Sequence, residues 1–288
     1  MRFPLLVALL VPAVALGAPK KGAAPAAEAG PPTSKTASPC GVKILPLSVG
    51  NTWTYSMVPS PLPPDDQIKR ISPAEADTIT VTVKSIDAKK GGDTIITLEE
   101  KTSTDLTKDK SDPKKKAVID EHTYTSTITC NAKKFEISPE SFFFSGEPGG
   151  YLGLKLESVE HPKGTTWQLT NGNIGDAQWR EDLAMKWTRV PFEGSEAKLG
   201  SGKIELERQF TPEPSEDVAT KLGVYKKTEK LGLLTTGRVT LDNAVAGTAP
   251  MELPANWIST TWIAPGAGVV QTLNPYAHMY QLTQATLK

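Results

Sequence analysis

Hydrophobic and polar residues alternate along most of this chain. In 76–85, ADTITVTVKS, Ile79, Val81 and Val83 point one way, and Thr78, Thr80, Thr82 and Lys84 the other. That is period two with β-branched residues, the signature of a half-buried strand. Residues 93–100, DTIITLEE, repeat the pattern after Lys89-Lys90-Gly91-Gly92, a turn signal, so the two runs predict a hairpin. Residues 121–130, EHTYTSTITC, alternate again. Further strands are predicted at 51–58, 133–137, 154–160, 166–170, 185–190, 203–210, 218–227, 231–241, 257–263, 268–273 and 278–283. Strong helical periodicity is absent, and the only helical candidates are short, at 73–77 and 175–184. Strand after strand with turns between predicts an all-β fold of antiparallel meanders. Two connections interrupt it: 101–117, polar and lysine-heavy, and 193–201. The first reads as a long mobile hairpin loop. Its lysines could form a basic patch for phosphate or anionic lipid, but Asp105, Asp109 and Asp112 dilute it.

The N-terminus has a different pattern. Met1-Arg2 precedes an apolar run over residues 3–16, and Ala15-Leu16-Gly17 offers small residues where a signal peptidase reads. The run is too short to span a bilayer, which takes about 20 apolar residues. The expectation is a signal peptide over 1–17, cleaved after Gly17, and no transmembrane segment in the mature chain. No cysteine ends the run, which disfavours a lipoprotein. Residues 18–39 are nearly all Ala, Pro, Gly, Lys, Ser and Thr, with too little apolar surface to offset ordering entropy. They read as a disordered tether, and 40–288 as a single β-rich domain.

Composition narrows the function classes. The 288 residues carry 32 basic and 32 acidic side chains, so no global field points to nucleic acid. Two cysteines exclude a disulfide-dense scaffold and a cysteine-only zinc site. In an oxidising compartment Cys40 and Cys130 form a reasonable disulfide, pinning the start of the fold to the sheet, with two separate buried thiols as the alternative. Closing that loop stabilises by up to ~4.6 kcal/mol in the chain-entropy model.

Motifs that resemble chemistry fail on inspection. Leu199-Gly-Ser-Gly-Lys203 echoes a phosphate loop, but Ala197 stands where the first glycine belongs, and Ile204 replaces the Ser/Thr. No G-x-S-x-G occurs. His122, His161 and His278 are far apart and read as surface or turn residues. Glu181-Asp182 and Asp65-Asp66 are adjacent carboxylates, which a strand places on opposite faces. No catalytic, cofactor or metal residue is assigned. Trp53, Trp167, Trp179, Trp187, Trp257 and Trp262 are six large rings; they fill the core by default, or line a ligand site. Trp53, Trp167, Trp187 and Trp262 are the candidate lining.

Leu45-Pro-Leu-Ser-Val-Gly50-Asn51-Thr-Trp53-Thr-Tyr55 resembles the opening strand of a broad set of uncharacterised bacterial secreted and envelope proteins. Trp262-Ile-Ala-Pro265-Gly266-Ala-Gly268-Val-Val-Gln271 resembles their closing A-P-G-x-G-x-V element, with Gln271 where Lys is common. His161-Pro-Lys-Gly-Thr-Thr-Trp167 is similar to their P-x-x-G-x-x-W element. The resemblance brackets residues 45–273 through short motifs. It implies a curved antiparallel sheet, clam-like or half-barrel, as in lipoprotein-carrier folds. It brings no activity or catalytic residue. The motif residues also have structural readings of their own. Gly50-Asn51 suits a turn with positive φ, Pro265-Gly266 a type II turn, and Gly268 a bulge or close backbone approach.

The expectation is therefore an exported, non-enzymatic protein, periplasmic or cell-surface, holding an apolar or amphipathic ligand such as a lipid in a curved sheet. A structural or protein-interaction component of the envelope is the alternative. A hydrolase with dispersed carboxylates ranks last.

Overall fold

The computed structural model describes residues 30–62, 76–90, 92–107, 116–149, 154–189, 200–242 and 250–288. The strands are β1 (Thr52–Val58), β2 (Thr78–Ala88), β3 (Thr94–Asp105), β4 (Ile119–Cys130), β5 (Phe135–Ile137), β6 (Leu154–Lys163), β7 (Leu169–Thr170), β8 (Asn173–Ile174), β9 (Trp179–Arg189), β10 (Ser201–Thr220), β11 (Gly223–Leu241), β12 (Met251–Ala264), β13 (Gly268–Leu273) and β14 (Met279–Thr286). Among the described residues one short α-helix, α1 (Phe142–Ser145), lies between β5 and β6. Twelve strands form one curved, unclosed antiparallel sheet in the order β5-β4-β3-β2-β1-β14-β13-β12-β11-β10-β9-β6; β7 and β8 form a separate hairpin. The first and last strands meet mid-sheet, with Trp53 opposite Ala285 and Val58 opposite Met279. The all-β reading holds.

Period-two alternation sets which face is covered. On β2, Ile79, Val81 and Val83 are buried, and on β10 Ile204, Leu206, Arg208 and Phe210 are. The predicted β2–β3 hairpin forms: the Lys89 amide donates to Asp93 O at 2.7 Å. Other expectations shift. Residues 179–184, assigned to a helix, belong to β9, because Glu181 and Leu183 must reach the covered face together. The single strand predicted over 218–227 is instead the end of β10 and the start of β11, separated by a reversal at residues 221–222. In 166–170 only Leu169 and Thr170 are strand. β3 runs on to Asp105, inside the expected loop. The helix expected at 73–77 lies outside the described residues apart from Ala76 and Asp77, which are not helical.

Two segments without strand structure cover the sheet. Val42, Ile44, Leu45 and Leu47 are buried ahead of β1, and α1 inserts Phe142, Phe143 and Phe144. Phe142 lies against Tyr55 at 4.3 Å between ring centroids, and Phe143 sits edge-on to Trp53 at 5.7 Å. Ser141 caps α1 by accepting from the Phe143 amide, and Gly146 ends it at φ +78. Disulfide Cys40–Cys130 ties the first of these segments to the end of β4, with Cα atoms 6.1 Å apart.

The Pro265-Gly266 turn takes its expected form. The Ala267 amide donates to Ala264 O at 2.9 Å across Pro265-Gly266, with Gly266 at φ +75, the requirement of a type II turn. Gly268 lies under Trp53: a Cβ there would come within 3.2 Å of the indole nitrogen and 2.8 Å of Leu45.

Pro31–Lys288 is one compact unit. The chain is therefore already packed ahead of Cys40. The Ser34 amide donates to Gly266 O at 2.7 Å, and Ser38 bonds Leu45 O and the Leu47 amide, both at 2.8 Å. The signal peptide and the first part of the expected tether lie outside the described residues. No helix among the described residues is long and apolar enough to cross a membrane.

Candidate functional site

The sheet's ladder does not close, but its edge strand β5 has a partner. The Phe135 amide donates to Thr165 Oγ1 at 2.9 Å, and that hydroxyl donates back to Phe135 O at 2.8 Å. The Ile137 amide donates to Thr166 Oγ1, and the Trp167 amide to Phe135 O. The loop after β6 thus satisfies the edge that a free strand would expose. The Trp167 ring stacks on Phe135 at 5.4 Å, nearly parallel. The β7–β8 hairpin continues the seam, and Gly172 O accepts from the Lys43 and Ile44 amides. A Cβ at Gly172 would fall 2.1 Å from Gly41 O, so only glycine permits this approach.

Between these segments lies a cleft of about 490 Å³, the size of a small-ligand site. Its apolar side is Val42, Phe135, Trp167 and Leu169, beside Cys40 of the disulfide. Its polar side includes Lys133, Gln168 and Asn171. Asn131 is rigidly held: its amide donates to Asp93 at 2.7 Å, and its carbonyl accepts from the Lys133 and Lys134 amides. Lys134 bonds Glu136 at 3.1 Å. Desolvation pulls its pKa down, but Glu136 and Asp93 outweigh that and raise it, so it stays an ammonium.

The centre of the concave face is closed by contrast. The space among Phe143, Phe144, Arg208, Phe210 and Leu233 is about 20 Å³, room for roughly one water. Two buried polar groups hold α1 down there. On β3, Glu100 is fully buried and accepts from Ser126 at 2.5 Å, Ser141 at 2.8 Å and the Phe142 amide at 2.7 Å. Burial pushes its pKa up to about 7, against the pull of these three donors. On β10, Arg208 donates to Phe144 O and lies 3.7 Å from the centre of the Phe144 ring. Its other end donates to Glu181, directly opposite on β9, at 2.8 Å. Glu181 also bonds His161 at 2.8 Å and Thr166 at 2.9 Å. Burial raises its pKa, but Arg208 and His161 reverse this, and the net value is lowered.

This second cluster is an anchor rather than a nucleophile with its base. Thr166 donates to the carboxylate, not to the imidazole, so no hydroxyl is set to lose its proton to His161. Among the described residues no group of three or more His, Cys, Asp or Glu side chains could hold a metal.

The four candidate tryptophans separate. Trp167 borders the cleft. Trp53 is buried, donating to Ala267 O at 2.6 Å. Trp187 is buried over Gly202, where a Cβ would meet its ring at 2.5 Å. Trp262 faces the other side of the sheet beneath the end of the β10–β11 hairpin, donating to Glu216 with the Lys230 ammonium 5.5 Å from its ring. His122 is exposed beside Asp120, as a surface histidine should be. His161 and His278 differ, since each pairs with a largely buried carboxylate, Glu181 and Glu147. Their partners are distant in sequence, and no local signal announces them. Asp65 and Asp66 lie outside the described residues.

Compared with known proteins, the chain matches no family model, no curated protein sequence and no solved structure.

Proposed function

We propose that this is an exported, non-enzymatic binding protein that holds a small amphipathic ligand in the seam cleft. One observation carries the reading: the cleft offers about 490 Å³ of space, whereas the middle of the concave face offers about 20 Å³. An apolar portion of the ligand would lie along Trp167 and Leu169, and a polar or anionic end would meet Lys133 and Asn171. Export rests on the N-terminal apolar run with its small-residue cleavage site, and on a disulfide that suits an oxidising compartment. N-terminal sequencing of the exported protein should begin at Ala18. Native mass spectrometry of the mature protein, recovered from its own envelope without detergent, should show a bound mass that denaturation releases. A clean apo mass would reject the reading.

The alternative is a protein-interaction role in the envelope. Leu234 and Ile258, paired across β11 and β12, are 40% and 70% exposed. Cross-linking from position 258 to a defined envelope partner would favour it.

A further inference from the structure

The two edges of the large sheet differ in how they are finished. The β5 edge is satisfied by Thr165 and Thr166, whereas β6, the strand at the other end, pairs with β9 alone. Among the described residues, none bonds the backbone of 155–160 on its other edge. Such an edge offers N–H and C=O groups to any extended chain whose side chains match it. Pro162 has no amide to donate, so the window for pairing ends ahead of it.

The side chains of this window match a second copy of themselves. Leu156 and Val159 lie opposite Trp187 and Met185 on β9 and pack against the core. Lys155 and Glu160 lie opposite Thr188 and Ala184, and both are exposed. A bulge between Leu156 and Ser158 sets this spacing, and Glu157 accepts from Thr188 at 2.7 Å on the exposed face. Consider antiparallel pairing about a two-fold axis between Glu157 and Ser158. Lys155 then meets Glu160 of the second copy, and Leu156 meets its Val159. Each contact occurs twice, core side against core side and exposed side against exposed side. Other registers lose the match. An axis on Ser158 sets Leu156 against Glu160, and an axis between Ser158 and Val159 sets Glu157 against Glu160. Within one copy Glu160 has no ion pair among the described residues, and Lys155 reaches only Glu157, at 3.3 Å and largely in solvent.

We propose that β6 is a dimerisation edge, on which residues 155–160 of two copies pair antiparallel and join their sheets. The seam cleft takes no part in the contact, since none of its lining residues lies in this window.

Sedimentation velocity of the full mature chain over a concentration series tests this. A ladder this short makes a small interface, so the dimer should be half-formed at roughly 50 µM. Glu160→Lys alone, or Lys155→Glu alone, should weaken it about tenfold, because each reversal counts twice across the axis. Lys155→Glu combined with Glu160→Lys in one chain should restore the dimer. An equal mixture of the two single variants should form mixed dimers. Lys226→Glu, the same charge change at an exposed lysine elsewhere, should leave the dimer unchanged. Because all these positions are exposed, thermal melts of the variants should overlay the parent. A monomer at every concentration, single reversals without effect, or a double variant that stays as weak as the single ones would overturn the proposal.

Discussion

The centre of the concave face and the seam at its edge are both lined by aromatic and aliphatic side chains, yet only the seam is open. The difference lies in what each region is offered by the rest of the chain. The centre receives Phe142, Phe143 and Phe144 on α1 and the aliphatic Val42, Ile44, Leu45 and Leu47. The seam receives a loop and a small hairpin whose glycines and threonines satisfy the backbone without filling the space. A curved sheet therefore does not specify a cavity; the covering segments decide where one remains. The covering at the centre is pinned to both halves of the sheet, by Glu100 on β3 and Arg208 on β10.

The largest predicted effect breaks the pinning on the β10 side. Arg208→Met leaves Glu181 buried without its guanidinium and should cost about 3–5 kcal/mol in urea denaturation. Arg208→Met with Glu181→Leu should recover much of that, because no buried charge is stranded. Replacing Cys40 and Cys130 by serine releases the segment that borders the cleft. It should cost up to ~4.6 kcal/mol, the chain-entropy limit, and abolish ligand retention before it unfolds the sheet.

The β3 side should respond to pH instead. The Glu100 pKa is raised in the folded protein from an ordinary value near 4.5 to about 7. Its stabilisation is thus fully present below about pH 4.5 and is lost as pH rises through about 7. The loss should be about 3 kcal/mol and should vanish in Glu100→Gln. Glu181 acts in the opposite sense: its lowered pKa means stability is lost on acidification, a limb that Glu181→Gln should remove. A smaller effect is expected at Trp53→Phe. It removes the hydrogen bond to Ala267 O and should cost about 1–3 kcal/mol, the cost of an unsatisfied buried acceptor.

Much of the sheet was legible because its strands alternate cleanly. β2 carries Thr78, Thr80 and Thr82 on one face and Ile79, Val81 and Val83 on the other, and that pattern requires no tertiary information. α1 was not legible: four residues are too short to show a 3.6 period, and Phe142-Phe143-Phe144 is equally compatible with a buried strand. The β10–β11 hairpin was misread at its turn because Lys221 and Leu222 interrupt a run that is otherwise strand-like on both sides. The disulfide followed from compartment and count. The cleft did not, since Val42, Lys133, Trp167 and Asn171 come from separate segments, joined only when the loop after β6 bonds the edge of β5. The Glu181–Arg208 pair was hidden for the same reason, because only the β9–β10 register places them opposite one another.

The most direct test of the seam as the ligand site is a crystal structure of the mature protein purified from its own envelope without detergent. Ligand density should lie between Trp167 and Lys133, with α1 still seated on Glu100 and Arg208. Density among Phe143, Phe144 and Phe210 with α1 displaced, or no density in the cleft, would contradict it.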